Sequence, residues 1–348
     1  MDKNKKERIT KYLTPKLDRF LFGELPEAFL QETGTESFMA GVPFPVEKTH
    51  LTDDSLSAVS IARNMAFVLG ADPDFRYGEQ YLRFIRTLFT EDFKRPLIKE
   101  AAESAKKEDF ETACIFCRAT LLFDPENRDA LLLYGQALHD AYEAKAEEEN
   151  PSLSDEEYIG NFKAESMEVF ERITVLYPEE PAPYYYLGYA YLNLGLYNKS
   201  RLTFLEFTRL SKSEDEKKEA QDLIRQLKDP CILEEGVNRI LSGHPETGID
   251  ILSEYENHPE YGKWWPLWYY LGIAHRDIGN TEEAVKDFLA ALRTSPSNID
   301  VMNELISLYE SLGNSEKAEK YRKKIGVVKK NQEMDREQRR KESGMTVS

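Results

Sequence analysis

No stretch of this sequence approaches 18 consecutive apolar residues, so none reads as a membrane-spanning helix. Cysteine is scarce, with 3 in 348 residues. That excludes a disulfide-stapled scaffold and points to a reducing compartment, with the cytoplasm as the expected location. The opening MDKNKKERITKYLTPKLDRF has positive charge but no apolar segment behind it, so it does not read as a signal peptide. Basic residues are the minority charge, 46 Lys and Arg against 63 Asp and Glu, and the net charge is −17. Such a balance opposes general nucleic-acid binding, because phosphates are repelled before contact.

Chemical motifs are missing too. The five histidines, His50, His139, His244, His258 and His275, form no H-E-x-x-H or comparable array. There is no Gly-rich phosphate loop, no G-x-S-x-G elbow and no P-loop. Catalytic, cofactor-binding and metal-binding residues are all expected to be none. Cys114-Ile-Phe-Cys117 is the one redox or metal candidate. Zinc would need two more ligands at matching spacing, and a thioredoxin-like pair would open a helix. This pair instead falls inside a predicted helix with Cys117 at a core position, so it reads as two small buried hydrophobes.

What the chain does have is aromatic carbon, 19 Tyr and 18 Phe within a 41% hydrophobic composition, enough for a real core. Its length suits two or three ordinary domains or one elongated repeat array. The stretch WYYLGIAHRDIGNTEEAVKDFLAALRTSP, Trp268 to Pro296, decides between them. Trp268, Leu271, Gly272 and His275 share one helical face, Gly279-Asn280 breaks the helix, and Thr281 opens the next. Ala284, Phe288 and Ala291 form a second stripe closed by Pro296. Small Gly272 and Ala284 let the two helices approach closely, and such a pair needs neighbours to bury its faces.

This pattern resembles the tetratricopeptide repeat, W-x2-L-G-x2-Y…A-x3-F…P, with His275 in the Tyr slot. A second full copy has Tyr184, Leu187, Gly188, Tyr191, Gly195, Tyr197, Ser200, Phe204 and Phe207, with Lys212 in place of the terminal Pro. Looser copies carry Ala101, Phe110, Ala113, Cys117 and Pro125; then Leu131, Tyr134, Gly135, Leu138, Phe170, Ile173 and Pro178; then Gly236, Gly243, Gly248 and Leu252. The last copy has Met302, Leu305, Tyr309, Gly313 and Ala318, and polar Arg322 in its Phe slot suits a solvated cap. The second loose copy is about 19 residues longer than the period, an excess expected to separate its halves. SEDEKKEAQDLIRQLKDP, with Ala220, Leu223, Ile224 and Leu227 on one face, reads as an additional helix.

The resemblance implies an all-α, right-handed α-solenoid of tetratricopeptide-like pairs over 94–328, behind a divergent helical N-terminal region, 1–93. There SLSAVSIARNMAFVLG and FRYGEQYLRFIRTLF read as a hairpin, and GTESFMAGVPFPVEKTHL as an ordered loop, since Gly34, Gly41, Pro43 and Pro45 exclude a regular helix. Residues 329–348 read as a basic, disordered tail: from Lys317 to Glu342, 11 basic side chains face 5 acidic ones.

In this family the first helices of successive pairs line a groove, so the resemblance implies a protein or peptide partner held there. Candidate contacts, one stripe beside the core positions, are Tyr185, Tyr189 and Asn193, then Tyr269, Ile273 and Arg276, then Asn303, with Ser307 and Glu310. Leu233, Val237, Leu132, Gln136 and His139 would extend the stripe. Tyr and Arg suit the role, combining area with hydrogen-bonding tips. The competing account is that the extra helix, the 34–51 loop or the tail fills the groove, or that two copies meet there as a homo-oligomer. The chaperone-tail clamp known in the family is absent, since Leu132, Gln136, Tyr186, Pro266 and Tyr270 stand at its places. The implied function is a non-catalytic interaction scaffold or adaptor; the alternative is a chaperone for secretion or assembly of one client.

Overall fold

The computed structural model describes residues 8–50, 57–89, 93–148 and 152–342. The chain forms two compact units, 1–187 and 188–348, divided within one helix. In the first unit, α1 (Thr10–Leu13) leads into strand β1 (Phe20–Glu24), followed by α2 (Glu27–Thr33), α3 (Glu36–Met39) and strand β2 (Pro43–Glu47). The strands pair antiparallel, Phe20 opposite Glu47 and Glu24 opposite Pro43. The segment expected to be a loop between helices therefore contains a strand, and the N-terminal region is not purely helical. A two-stranded ribbon is all edge, which is where Pro43 and Pro45 are tolerated.

The expected hairpin follows as α4 (Ala58–Ala71) and α5 (Gly78–Leu88). It holds the ribbon: Tyr81 Oη donates to the Pro43 carbonyl at 2.6 Å and Asn64 Nδ2 to that of Pro45 at 3.2 Å. Next come α6 (Lys94–Lys106) and α7 (Phe110–Phe123), α8 (Arg128–Ala146) and α9 (Leu153–Leu176), and the start of α10 (Pro181–Asn193). The excess length of the second pair lengthens its helices, 19 residues in α8 and 24 in α9. Ser152 opens α9 with a reciprocal capping box to Asp155.

The second unit contains the rest of α10, then α11 (Tyr197–Leu210), the additional helix α12 (Glu214–Gln226), and the pairs α13 (Lys228–Leu241) with α14 (Pro245–Ser253), α15 (Trp265–Asp277) with α16 (Thr281–Thr294), and α17 (Ile299–Ser311) with α18 (Ser315–Glu342). The tail expected to be disordered from 329 continues α18 through Glu342. Ala318, Tyr321, Ile325 and Val328 keep helical spacing and pack on the α16–α17 core.

Two local devices make the pairs. The first is the turn. After α10, α13, α15 and α17 the chain turns at Gly195, Gly243, Gly279 and Gly313, all with φ between 70 and 84. In each turn the next N–H reaches back to the last helical turn, as Asn280 does to the His275 carbonyl at 2.8 Å and Asn314 to that of Tyr309 at 2.7 Å. The second is a close approach. A Cβ on Gly135, Gly188 or Gly272 would stand 2.6, 2.6 or 2.8 Å from the ring of Phe170, Phe204 or Phe288. Each fully buried Phe thus lies over a bare stretch of the opposite helix. The Ser166 and Ser200 hydroxyls donate to the Gly135 and Gly188 carbonyls at 3.0 and 2.8 Å, tightening two of these crossings.

Candidate functional site

Cys114, Cys117 and Cys231 are all buried, and burial pushes their thiols above the usual range. Thiols kept neutral in a helix interior are packing groups rather than nucleophiles. Among the described residues no three or more His, Cys, Asp or Glu side chains are placed to hold a metal ion, and no helix is long and apolar enough to cross a membrane.

His275, in the Tyr slot, is satisfied across its own pair: Nδ1 lies 2.7 Å from Asp287 Oδ2 on α16. Burial is the main cause that lifts the Asp287 carboxyl from 3.8 to about 6, against the pull of His275 and with Glu256 and Glu283 adding to the rise. A carboxyl whose folded-state pKa is raised favours the fold while protonated, so its contribution is complete below pH 4 and is lost as pH climbs through 6. Asp287→Asn keeps the shape without the titration. It is expected to remove up to about 3 kcal/mol of the stability lost between pH 4 and pH 8, checked by urea unfolding of both proteins across that range. An unchanged pH profile would assign the loss to other groups.

The stripe of candidate contacts is more engaged than its sequence suggests. Tyr185 and Tyr189 are half-buried on α10 and Asn193 is exposed. In the first unit, the Tyr185 ring meets Tyr186 edge-on at 5.9 Å, and Tyr186 stacks on Phe170 at 4.7 Å. In the second, the Tyr189 hydroxyl donates to Glu219, so the additional helix α12 covers part of the stripe. Tyr269 and Ile273 pack partly buried against the α16–α17 core, and Arg276 Nη1 donates to Glu304 on α17 at 2.5 Å. Asn303 is exposed. Leu233, expected on the stripe, is 1% exposed and belongs to the core of α13–α15. Helix-to-helix packing between successive pairs claims these side chains, which a single helix's offsets do not reveal.

A second arrangement lies in the first unit and was missed altogether. The segment from Arg8 to Lys16 docks along α7 and α9: Arg8 reaches Glu168 at 2.8 Å, Lys11 reaches Glu157 at 2.6 Å and Lys16 reaches Asp109 at 2.7 Å. Tyr12 meets the Tyr158 ring edge-on at 5.0 Å. Beside it opens a cleft of about 500 Å³ among α1, α7, α8 and α9. One sequence signal was available: Glu108 holds the place in the α6–α7 turn that Gly holds in four other pairs.

Residues 265–298, which are α15, α16 and their flanks, match the family model described as tetratricopeptide repeat. The fold class is an all-α solenoid of helical pairs, and the α15–α16 pair is a tetratricopeptide repeat. Among solved structures it is similar to the tetratricopeptide domain of P58(IPK), at 12% identity and a TM-score of 0.42 over 80% of this chain and 75% of that one. It is similar to MamA from Desulfovibrio magneticus RS-1, at 13% identity and a TM-score of 0.32, covering 57% of this chain and 96% of that one. It is also similar to YrrB, described as a tetratricopeptide protein with an unusual peptide-binding site, at 15% identity and a TM-score of 0.28, covering 61% and 91%. At such scores these likenesses decide nothing beyond what the chain's own helices show. No curated protein matches the chain.

Proposed function

We propose that this protein is a non-catalytic interaction scaffold that holds a peptide or helix of a protein partner on the first-helix stripe of its repeats. The observation that supports this reading is the set of half-buried tyrosines on the first helices of the pairs. Within the second unit, Tyr189 on α10 and Tyr269 on α15 are half-buried, and Asn193 on α10 and Asn303 on α17 are exposed. Half-buried tyrosines offer apolar area with limited flexibility and a hydrogen-bonding tip, the properties that concentrate binding energy. The neutral buried thiols and the His275–Asp287 pair are each accounted for by packing, which leaves the chemistry of recognition.

Crosslinked pull-downs from native lysate should separate wild type from a Tyr185→Ala/Tyr189→Ala/Tyr269→Ala variant of matched helicity. Loss of a discrete set of partners in the variant is the expected result. Recovery of the same partners in equal amount would remove the stripe as the binding surface.

A further inference from the structure

We propose that the outer edge of β1 is a self-association site, where a second copy of this chain adds its own β1 antiparallel, Phe22 opposite Phe22. This interface lies apart from the first-helix stripe and stands or falls independently of it.

The two edges of the ribbon are not alike. The Pro43 and Pro45 carbonyls accept from Tyr81 and Asn64, so both residues turn their backbone polar groups away from β1. In an antiparallel pair such positions alternate with those that make the ladder bonds. Phe22 and Glu24, opposite Pro45 and Pro43, therefore turn their own N–H and C=O outward, while Leu21 and Gly23 face β2. The outer edge of β2 is thus closed by two prolines and by side chains of α4 and α5, devices that prevent further pairing. The outer edge of β1 has neither. Backbone groups of Phe22 and Glu24 have no outward hydrogen-bond partner among the described residues. Leu21 and Phe22 are 46% and 44% exposed, and stacking on Phe75 at 5.9 Å holds the Phe22 ring beside the open edge. An apolar strand with open backbone groups is a template for another strand.

The strand that fits this template is β1 itself. Arg19 immediately precedes β1 and Glu24 ends it. Arg19 reaches only Glu47, at 3.8 Å, and Glu24 has no ion pair among the described residues. An antiparallel register centred on Phe22 brings Arg19 beside the partner subunit's Glu24. A parallel, in-register partner would set like charges side by side, which opposes pairing. The antiparallel register also lays Leu21 over the partner subunit's Gly23, where no side chain competes for the space. It pairs the two Phe22 rings across the strands, a favourable aromatic pair. The Phe20 N–H already bonds the Leu17 carbonyl, so the ladder is short. Such an edge is small against the roughly 1,200–2,000 Å² of a stable interface, so a weak dimer is expected, with Kd of about 100 μM.

Sedimentation equilibrium on the full chain, from about 10 to about 500 μM, brackets that value. Phe22→Lys and Phe22→Glu should each weaken dimerisation at least about tenfold, because the two-fold axis sets residue 22 opposite itself. An equimolar mixture of the two variants should regain the dimer. A fold lost to either substitution could not be restored by mixing. Tyr185→Ala/Tyr189→Ala/Tyr269→Ala should dimerise as wild type does. Wild type monomeric throughout, single Phe22 variants that dimerise as wild type does, or a mixture that stays monomeric overturns the proposal. A dimer lost in the tyrosine variant but kept in the Phe22 variants overturns it too, and assigns self-association to the first-helix stripe.

Discussion

Phe288→Ala is expected to lower stability by about 3–5 kcal/mol, because the void it leaves has nothing to collapse into. Phe288 is fully buried within the core formed by α16, α17 and α18, and the wall facing its ring is Gly272, which has no side chain to move inward. The same geometry predicts the reciprocal effect. Ala in place of Gly272 gains about 1 kcal/mol of helix propensity. Its methyl would stand 2.8 Å from the Phe288 ring, so the helices must separate or the ring must leave its rotamer. Overpacking of that kind typically costs about 1–3 kcal/mol, so Gly272→Ala alone is expected to destabilise. In a Phe288→Leu background it should cost less or stabilise, and the double-mutant cycle should show coupling of at least about 1 kcal/mol. Urea unfolding, with hydrogen exchange on α15 and α16, measures all three. Additive effects would mean that Gly272 and Phe288 do not close this pair together.

The pair architecture was legible because both of its devices are local. A Gly at the crossing, a Phe above it and a Gly at the turn recur at fixed spacing, and each has one physical job. The places where reading failed lack such a signature. Residues 329–342 carry so much positive charge that they read as disorder, yet Ile325 and Val328 continue the apolar row begun by Tyr321 and hold α18 to the core. The excess between the halves of the second loose copy contains strong helix formers, Glu-Ala-Lys-Ala-Glu, before the Ser152 cap, and it extends helices rather than separating them. Candidate contact residues were chosen by offset along a helix, which fixes the stripe but not what faces it. Glu304 on Arg276 and Glu219 on Tyr189 are 28 and 30 residues away in sequence. The N-terminal docking is more remote still, with Arg8 and Glu168 separated by 160 residues.

On that docking surface the buried Arg118 is attracted to the half-buried Glu165, whose ion pair is with Arg8 at 3.7 Å, and the two charges should not be equivalent. Arg118 on α7 is 9% exposed, and burial depresses its pKa while attraction to Tyr134 and Glu165 holds it up. Glu165 on α9 is pushed up by burial and held back by Arg8 and Arg118, and the Tyr134 hydroxyl donates to it at 3.4 Å. Removing either partner breaks the same attraction, but the group left behind differs. A stranded carboxylate can take a proton, whereas a stranded guanidinium cannot lose one. Glu165→Ala is therefore expected to cost more than Arg118→Met, because Arg118 stays charged and buried with less of the attraction that offsets its burial. Arg118→Met, which refills the space with apolar volume, should cost less than about 2 kcal/mol at pH 5.5. It should then lose ground as pH rises. Without Arg118 the Glu165 pKa climbs further, and a raised folded-state carboxyl gives up its contribution as pH climbs through that value. Urea midpoints at pH 5.5 and pH 8 decide the matter. Arg118→Met costing as much as Glu165→Ala at the lower pH would show that the arginine is held for its packing and its bond to Thr10 rather than as the counter-charge of Glu165.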